Sequence, residues 1–500
     1  MKAETLLLII AAYFAALLFI AWKTGKGADN RTFFLANRAA PWYLVAFGMI
    51  GTSLSGVTFI SVPGTVVNPN LQFSYMQIVI GYLLGYVFIA LVLLPVYYRL
   101  QLTSIYTYLE KRFGTAAYKT GAFYFLVSRM LGSAIRLLLV AGVLYEFVFK
   151  SWNISFEVTV AVSIGLIWVY TFKGGIKTIV WTDTLQTLFM LISLGVSIYY
   201  IGDALHGWSG GLGALLAESP HTQWFFLDEP GSTKNFVLKD IIGGFFICIG
   251  MTGMDQDMMQ KNLSCRNLKD AQKNMLSFAA VLFFVNLAFL VLGALMFQYV
   301  SKFGIEIPLV NGSQRNDLLF PELALSSDLP LVLGFFFIIG LVAAAYSSAD
   351  GALAAMTTSV CIDFLGFNKK AEKEQTQMRQ RVHISVSLVL FVVILILHRV
   401  LELSAIEKVV FLAGFTYGPL IGMFIFGLYS HRAISGAKIV AVALVSPVLT
   451  YMLLQWNASW QSDYKIGAEL IAFNALFTWV GLWLLSRKAS VSAAHHAHEI

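Results

Sequence analysis

Charge is what this chain has least of. Only 12% of its 500 residues are Asp, Glu, Lys or Arg, while 58% are hydrophobic. A soluble globular domain carries about twice that charged share, so the deficit points to a polytopic membrane protein. The net charge of +7 is then no sign of a nucleic-acid partner and bears on orientation instead. Cysteine is scarce as well. Cys248, Cys265 and Cys361 are odd in number and lack paired spacing, which excludes a disulfide scaffold or a zinc centre. No polar stretch is long enough to fold as a soluble module, so no kinase, nucleotide-binding or hydrolase domain is expected. His383 and His398 lie near the ends of apolar runs without any HExxH-like spacing. The chain is not expected to be an enzyme, and no obligate protein partner is evident.

What is present is a succession of apolar runs. At about 20 residues per span, the sequence predicts thirteen helices, near 4–22, 40–66, 73–98, 120–149, 155–172, 178–204, 238–258, 275–301, 331–363, 382–400, 408–429, 434–456 and 464–485. The first run is preceded by Glu4 rather than a basic segment, so it reads as a retained helix, not a signal peptide. Most Lys and Arg residues fall in alternate loops, among them Lys111, Arg112, Lys261, Arg266, Lys269 and Lys273. The positive-inside rule therefore sets the N-terminus outside and the C-terminus inside. The long loops 205–237 and 302–330 would lie outside and cap a vestibule. The charged stretch 366–381 reads as a solvated inner connector. The tail 489–500, with His495, His496 and His498, is expected to be frayed, and a terminal His cluster lacks the fixed geometry of a metal site.

Two spans are interrupted. In VAFGMIGTSLSGVTFIS (45–61), Gly51, Thr52, Ser53, Ser55, Gly56 and Thr58 cluster mid-span; in FFICIGMTGMDQDMMQ, Gly250, Thr252 and Gly253 precede Asp255, Gln256, Asp257 and Gln260. In hydrocarbon an unpaired backbone group costs several kcal/mol, so unwinding is tolerated only where the segment lines a cavity or binds something. Unwound carbonyls and hydroxyls are hard oxygen ligands suited to an alkali cation. Close helix packing against small residues is the alternative. Each break opens a run of five spans, the pattern of an inverted-repeat transporter with its site near mid-membrane. The expected organisation is a peripheral first helix and inner loop (1–39), one repeat (40–204), an outer loop (205–237), a second repeat (238–430), and two peripheral helices with a cytoplasmic tail (431–500).

The ninth span, LVAAAYSSADGALAAMTTSV, places Ser347 and Asp350 on one face. An intramembrane carboxylate is costly unless it is paired, protonated or bound to a cation. In YTFKGGIKTIVWTDTLQ (170–186), Gly174–Gly175 make a turn, and Thr182 or Asp183 reads either as a helix cap or as a functional residue. Arg129 and Arg136, seven residues apart, share a face of the fourth span. Each is open to two readings, a protein carboxylate or a solute as its partner.

Together these stretches resemble the sodium/solute symporter family, which includes sodium–glucose, proline and sialic acid symporters. The resemblance is carried by GTSLSGVTFIS (51–61), LTSIYTYLEKRFG (102–114), YTFKGGIKTIVWTDTLQ (170–186), MDQDMMQKNLSCRNLKDA (254–271), AAAYSSADGAL (343–353) and GPLIGMFIFGLY (418–429). It implies an all-α fold of the leucine-transporter type, with five-plus-five inverted repeats, in the plasma membrane (the inner membrane of a bacterium). It also implies sodium-coupled uptake of a small polar organic solute by alternating access. Its partners would be that solute, sodium and the lipid bilayer.

By position, the family's main sodium site would use backbone oxygens of Gly51, Leu54 and Ala344 and the hydroxyls of Ser347 and Ser348. Asp183 and Asp350 would form a second cation or proton site, with Asp350 and Gly351 standing where the sialic acid branch has serines. The solute pocket would be lined by Ser53, Ser55, Thr58, Phe73, Gln77, Cys248, Met251, Thr252, Phe415 and Thr416. Arg136 would meet a solute carboxylate, as an arginine does in the sialic acid branch. Thr58 and Cys248 stand where the sugar branch has amides, which favours a carboxylated solute such as a sialic acid over a neutral sugar. A channel or sensor on the same scaffold is the third reading.

Overall fold

The structure is a computed structural model. It describes residues 3–26, 30–172, 175–208, 211–217, 219–228, 233–310, 313–326, 328–400, 405–459 and 464–488. The His-containing tail and Gly174 of the expected turn lie outside these residues. Apolar segments become helices because a helix satisfies every backbone group within the segment itself. In chain order the principal helices are α1 (Ala3–Thr24), α2 (Trp42–Ser53), α3 (Gly56–Thr65), α4 (Tyr75–Arg99), α5 (Thr115–Trp152), α6 (Phe156–Thr171), α7 (Ile176–His206) and α8 (Val237–Gly253). They continue as α9 (Gln256–Leu263), α10 (Leu268–Phe303), α11 (Leu331–Phe364), α12 (Glu372–Val400), α13 (Ala405–Tyr429), α14 (Gly436–Ser459) and α15 (Leu470–Leu485).

Among the described residues, nine helices are long and apolar enough to cross a membrane, or up to eleven when α2–α3 and α8–α9 each count as one bent span. The shorter apolar helices α6 and α15 stand at the two other expected positions, 155–172 and 464–485. Length and composition alone thus carry eleven of the thirteen expected spans. The one sheet among these residues is a hairpin of two-residue strands, Leu309–Val310 and Ser313–Gln314.

Two local readings change. The charged stretch 366–381 is not all connector, because α12 already begins at Glu372. Glu, Lys and Gln are strong helix formers, so the helix runs past the apolar zone. Asp183 is no cap: α7 starts at Ile176 after Gly175, whose φ of +50° favours glycine, and Asp183 is buried two turns inside.

The helices pack backbone to backbone where side chains are smallest. A Cβ on Gly81 of α4 would strike the Ile241 carbonyl of α8, and one on Gly244 would strike the Ile78 carbonyl of α4. Among the helices long enough to span, α11 is the most enclosed, with every residue from Phe337 to Ser359 buried, and α7 packs along it.

Both interruptions are real breaks. Between α2 and α3 the chain bends by 60°, with Leu54 at φ −84°, ψ 85° and Ser55 extended. Among the described residues the carbonyls of Gly51 and Leu54 accept no backbone hydrogen bond across this break. Between α8 and α9 the bend is 63°. There the freed carbonyls of Gly253 and Met254 are taken by the hydroxyls of Tyr97 and Tyr106, each at 2.9 Å. Asp255 caps α9, its Oδ1 accepting from the amides of Asp257 (3.0 Å) and Met258 (3.3 Å).

Candidate transport site

Helix α11 crosses the first break. Ser348 Oγ lies 3.4 Å from the Thr52 carbonyl and 3.3 Å from the Ala344 carbonyl. Ser347 Oγ donates to Asp183 Oδ1 at 2.8 Å. Gly51 is glycine because of this crowding: a Cβ there would lie 2.5 Å from Thr187 Oγ1 and 3.2 Å from Ser347 Oγ. Gly51, Ala344, Ser347 and Ser348 thus meet where α2 unwinds against α11, and Leu54 lies at the break itself. The donor set is hydroxyls and released carbonyls, oxygen only, which suits a desolvated alkali cation.

Beside it lies a buried ionic cluster built by five helices. Lys261 Nζ of α9 is 2.8 Å from Asp183 Oδ2, 2.5 Å from Thr52 Oγ1 and 3.4 Å from Asp257 Oδ1. Arg129 of α5 pairs with Asp257 and stands 3.7 Å from Asp255 Oδ2, which also accepts from Tyr417 Oη at 2.8 Å. Asp350 is held separately, by Tyr170 Oη at 2.9 Å and the amide of Gly351 at 2.5 Å. Among the described residues no hydrogen bond joins Asp183 to Asp350, but Asp350 lies within electrostatic reach of both Asp183 and Lys261. Pairing of this kind keeps the charges tolerable out of water, and losing one partner costs about 3–5 kcal/mol.

A cavity of about 100 Å³ opens from this cluster, several times what one water needs. Ser53, Ser55, Thr58, Cys248, Met251, Thr252 and Arg136 all line it. Thr416 lines a small adjoining recess together with Arg136 and Met251. Three expected lining residues do not reach it. Gln77 donates to Asp240 Oδ2 and the Asn235 carbonyl, both at 2.9 Å, and accepts from the Phe226 amide. Phe73 sits by Trp224 of the same loop, and Phe415 packs on Phe411 and Tyr451. The loop around 221–235 draws Phe73 and Gln77 to itself, which residue spacing does not reveal.

Some of the wall was missed from the sequence. Tyr75, Tyr82 and Tyr86 line the cavity, and their spacing of seven and four along α4 was the available signal. Asn286 of α10 also lines it, with its Oδ1 lacking a hydrogen-bond partner. Lys261, read as an inner-loop charge, is buried at the cluster's centre; its i, i+4 spacing from Asp257 was the clue.

The family model for sodium:solute symporters matches residues 33–441. The chain belongs to the sodium:solute symporter family. It is therefore an integral membrane protein and a sodium-coupled symporter. The symporter is 25% identical to the sodium/sialic acid symporter NanT of Aliivibrio fischeri, over 89% of this chain and 85% of that one. It is 30% identical to the human sodium/iodide cotransporter over 69% of its length, covering 51% of that protein. Among solved structures, a substrate-bound, outward-open sodium-coupled sialic acid symporter superposes with a TM-score of 0.80 at 20% identity, covering 97% of this chain and 99% of the other. A nucleobase–cation symport family transporter in a closed conformation superposes at 0.55 with 12% identity, over 95% and 98% of the two chains. These likenesses establish the leucine-transporter type of fold.

Proposed function

We propose that the symporter imports a small, hydroxylated carboxylate of the sialic acid kind, with Arg136 holding the acid group. One observation carries this. Arg136 lines the cavity and makes no hydrogen bond or ion pair with any described residue, whereas Arg129, two turns away, is committed to Asp255 and Asp257. A guanidinium held in a largely apolar membrane protein needs an anion, and its planar fork fits a carboxylate. The unpartnered Asn286 Oδ1 and the hydroxyls of Ser53, Ser55 and Thr58 then supply partners for solute hydroxyls. The sialic acid symporters among its relatives support the same reading.

Sodium would enter between Gly51, Leu54, Ala344, Ser347 and Ser348, stabilising the arrangement in which α2 and α11 meet. A cation that binds one state better shifts the access equilibrium by that difference in affinity. The two bent spans then belong to two repeats, 40–204 and 238–430, that rock about the site.

Counterflow in proteoliposomes with a sialic acid, a simple monocarboxylate and a neutral hexose tests the solute. Arg136→Lys should weaken acid binding by about tenfold or more, since a hydrogen bond to a charged group contributes about 1.5–3 kcal/mol, and should leave any neutral solute nearly unaffected. Transport of the hexose with no binding of either acid would make Arg136 structural and the solute a sugar.

A further inference from the structure

The ionic cluster has the geometry of a cation site that the chain occupies with its own side chain. The ammonium of Lys261 donates to two oxygens, Asp183 Oδ2 of α7 at 2.8 Å and Thr52 Oγ1 of α2 at 2.5 Å, and pairs with a third, Asp257 Oδ1 of α9, at 3.4 Å. The other oxygen of Asp183 accepts from Ser347. Lys261 and Asp183 are both buried, with side chains 2% and 1% exposed. The oxygens that would replace the hydration shell of a metal ion are thus already spent on an ammonium.

We propose that Lys261 is a tethered cation that takes the place of a second sodium at Asp183, so that the symporter moves a single sodium per cycle. The proposal rests on the sodium-symport reading and adds the ion count to it. Two further features accommodate the lysine. A Cβ on Gly351 would lie 2.5 Å from Asp257 Oδ1, so glycine leaves room for the carboxylate that holds the ammonium from its second side. Asp350, which could otherwise serve a metal ion, is taken by Tyr170 and a backbone amide. A tethered ammonium travels with α9 and is never released, so it adds no ion to the cargo. With a monoanionic solute, one sodium makes each cycle electrically neutral, whereas two would carry one positive charge inward.

Binding of ²²Na⁺ to the full-length protein, together with the sodium gradient that nulls solute flux against a fixed solute gradient in proteoliposomes held at zero membrane potential, decides the matter. The wild type is expected to bind one sodium per chain and to couple one. Lys261→Ala should bind two, its Hill coefficient moving from one toward two, and Lys261→Arg should stay at one. Two sodium ions bound and coupled by the wild type overturn the proposal, and this count needs no variant to survive purification. A wild type that binds no sodium, with uptake indifferent to it, defeats the symport reading separately. Acquisition of one sodium by Lys261→Ala would then still support the lysine's role, and acquisition of none would overturn it.

Discussion

Lys261 and Arg266 lie five residues apart in one charged stretch, yet one is buried among carboxylates and the other is exposed. Their difference is set by neighbours remote in sequence, and so is the consequence of changing them. Arg129→Gln would leave Asp257 with Lys261 alone. We expect a loss of about 3–5 kcal/mol, read as a lower unfolding temperature in detergent, while Arg266→Gln should leave the midpoint in place. At the proposed sodium site, each hydroxyl should contribute about 1 kcal/mol. The double variant Ser347→Ala, Ser348→Ala should therefore raise the sodium concentration for half-maximal uptake by about tenfold or more. Unchanged sodium dependence in that variant would remove these hydroxyls from the site. The same arithmetic separates a ligand from a bystander, because Ser53, which lies on the cavity wall, should alter solute affinity without moving the sodium curve.

At the scale of elements, a broken span is stable only if others satisfy what the break releases. Helix α4 and the loop after it do this for α8 and α9 through Tyr97 and Tyr106. The same α4 touches α8 so closely that Gly81 and Gly244 face each other's backbone. Gly81→Ala should push the two helices apart and cost about 1–3 kcal/mol as overpacking. Thermal unfolding of purified protein would register it; an unshifted midpoint would show that the interface gives way freely. Tyr97→Phe and Tyr106→Phe each strand a buried carbonyl, with an expected loss of about 1–3 kcal/mol.

For the whole molecule, the arrangement of charge makes a topological prediction. Asp228 and Lys373 are both exposed, and the expected orientation, N-terminus outside, would set Asp228 at the exterior and Lys373 in the cytoplasm. The native Cys248, Cys265 and Cys361 are all buried, so they give little background to a membrane-impermeant maleimide. In intact cells Asp228→Cys should label and Lys373→Cys should not; the reverse pattern would invert the orientation. Uptake itself should be driven by sodium and not by potassium, with about 2.3 kcal/mol per 100 mV for any net positive charge moved inward.

The sequence by itself determined the class of the molecule, the order of its apolar units and the position of both breaks. Each rests on local chemistry: a run too apolar for water forms a helix, and glycines with hydroxyls at mid-span interrupt it. Gly51, Ser347 and Ser348 were legible for the same reason, and the match to a known family supplied their grouping. Only the tertiary structure decided the partners. Asp183, expected beside Asp350 at a cation or proton site, also pairs with Lys261, delivered by the bend after α8, a partner that spacing alone did not give. Gln77 and Phe73, expected on the cavity wall, are held by the loop around 221–235. Of the two arginines on one face of α5, the carboxylates of α9 claim Arg129 and leave Arg136 to the cavity. Helical spacing fixes which side chains share a face, but the face they meet depends on how distant helices pack. In a low-dielectric interior that packing decides whether a charge is neutralised by the chain itself or remains for the cargo.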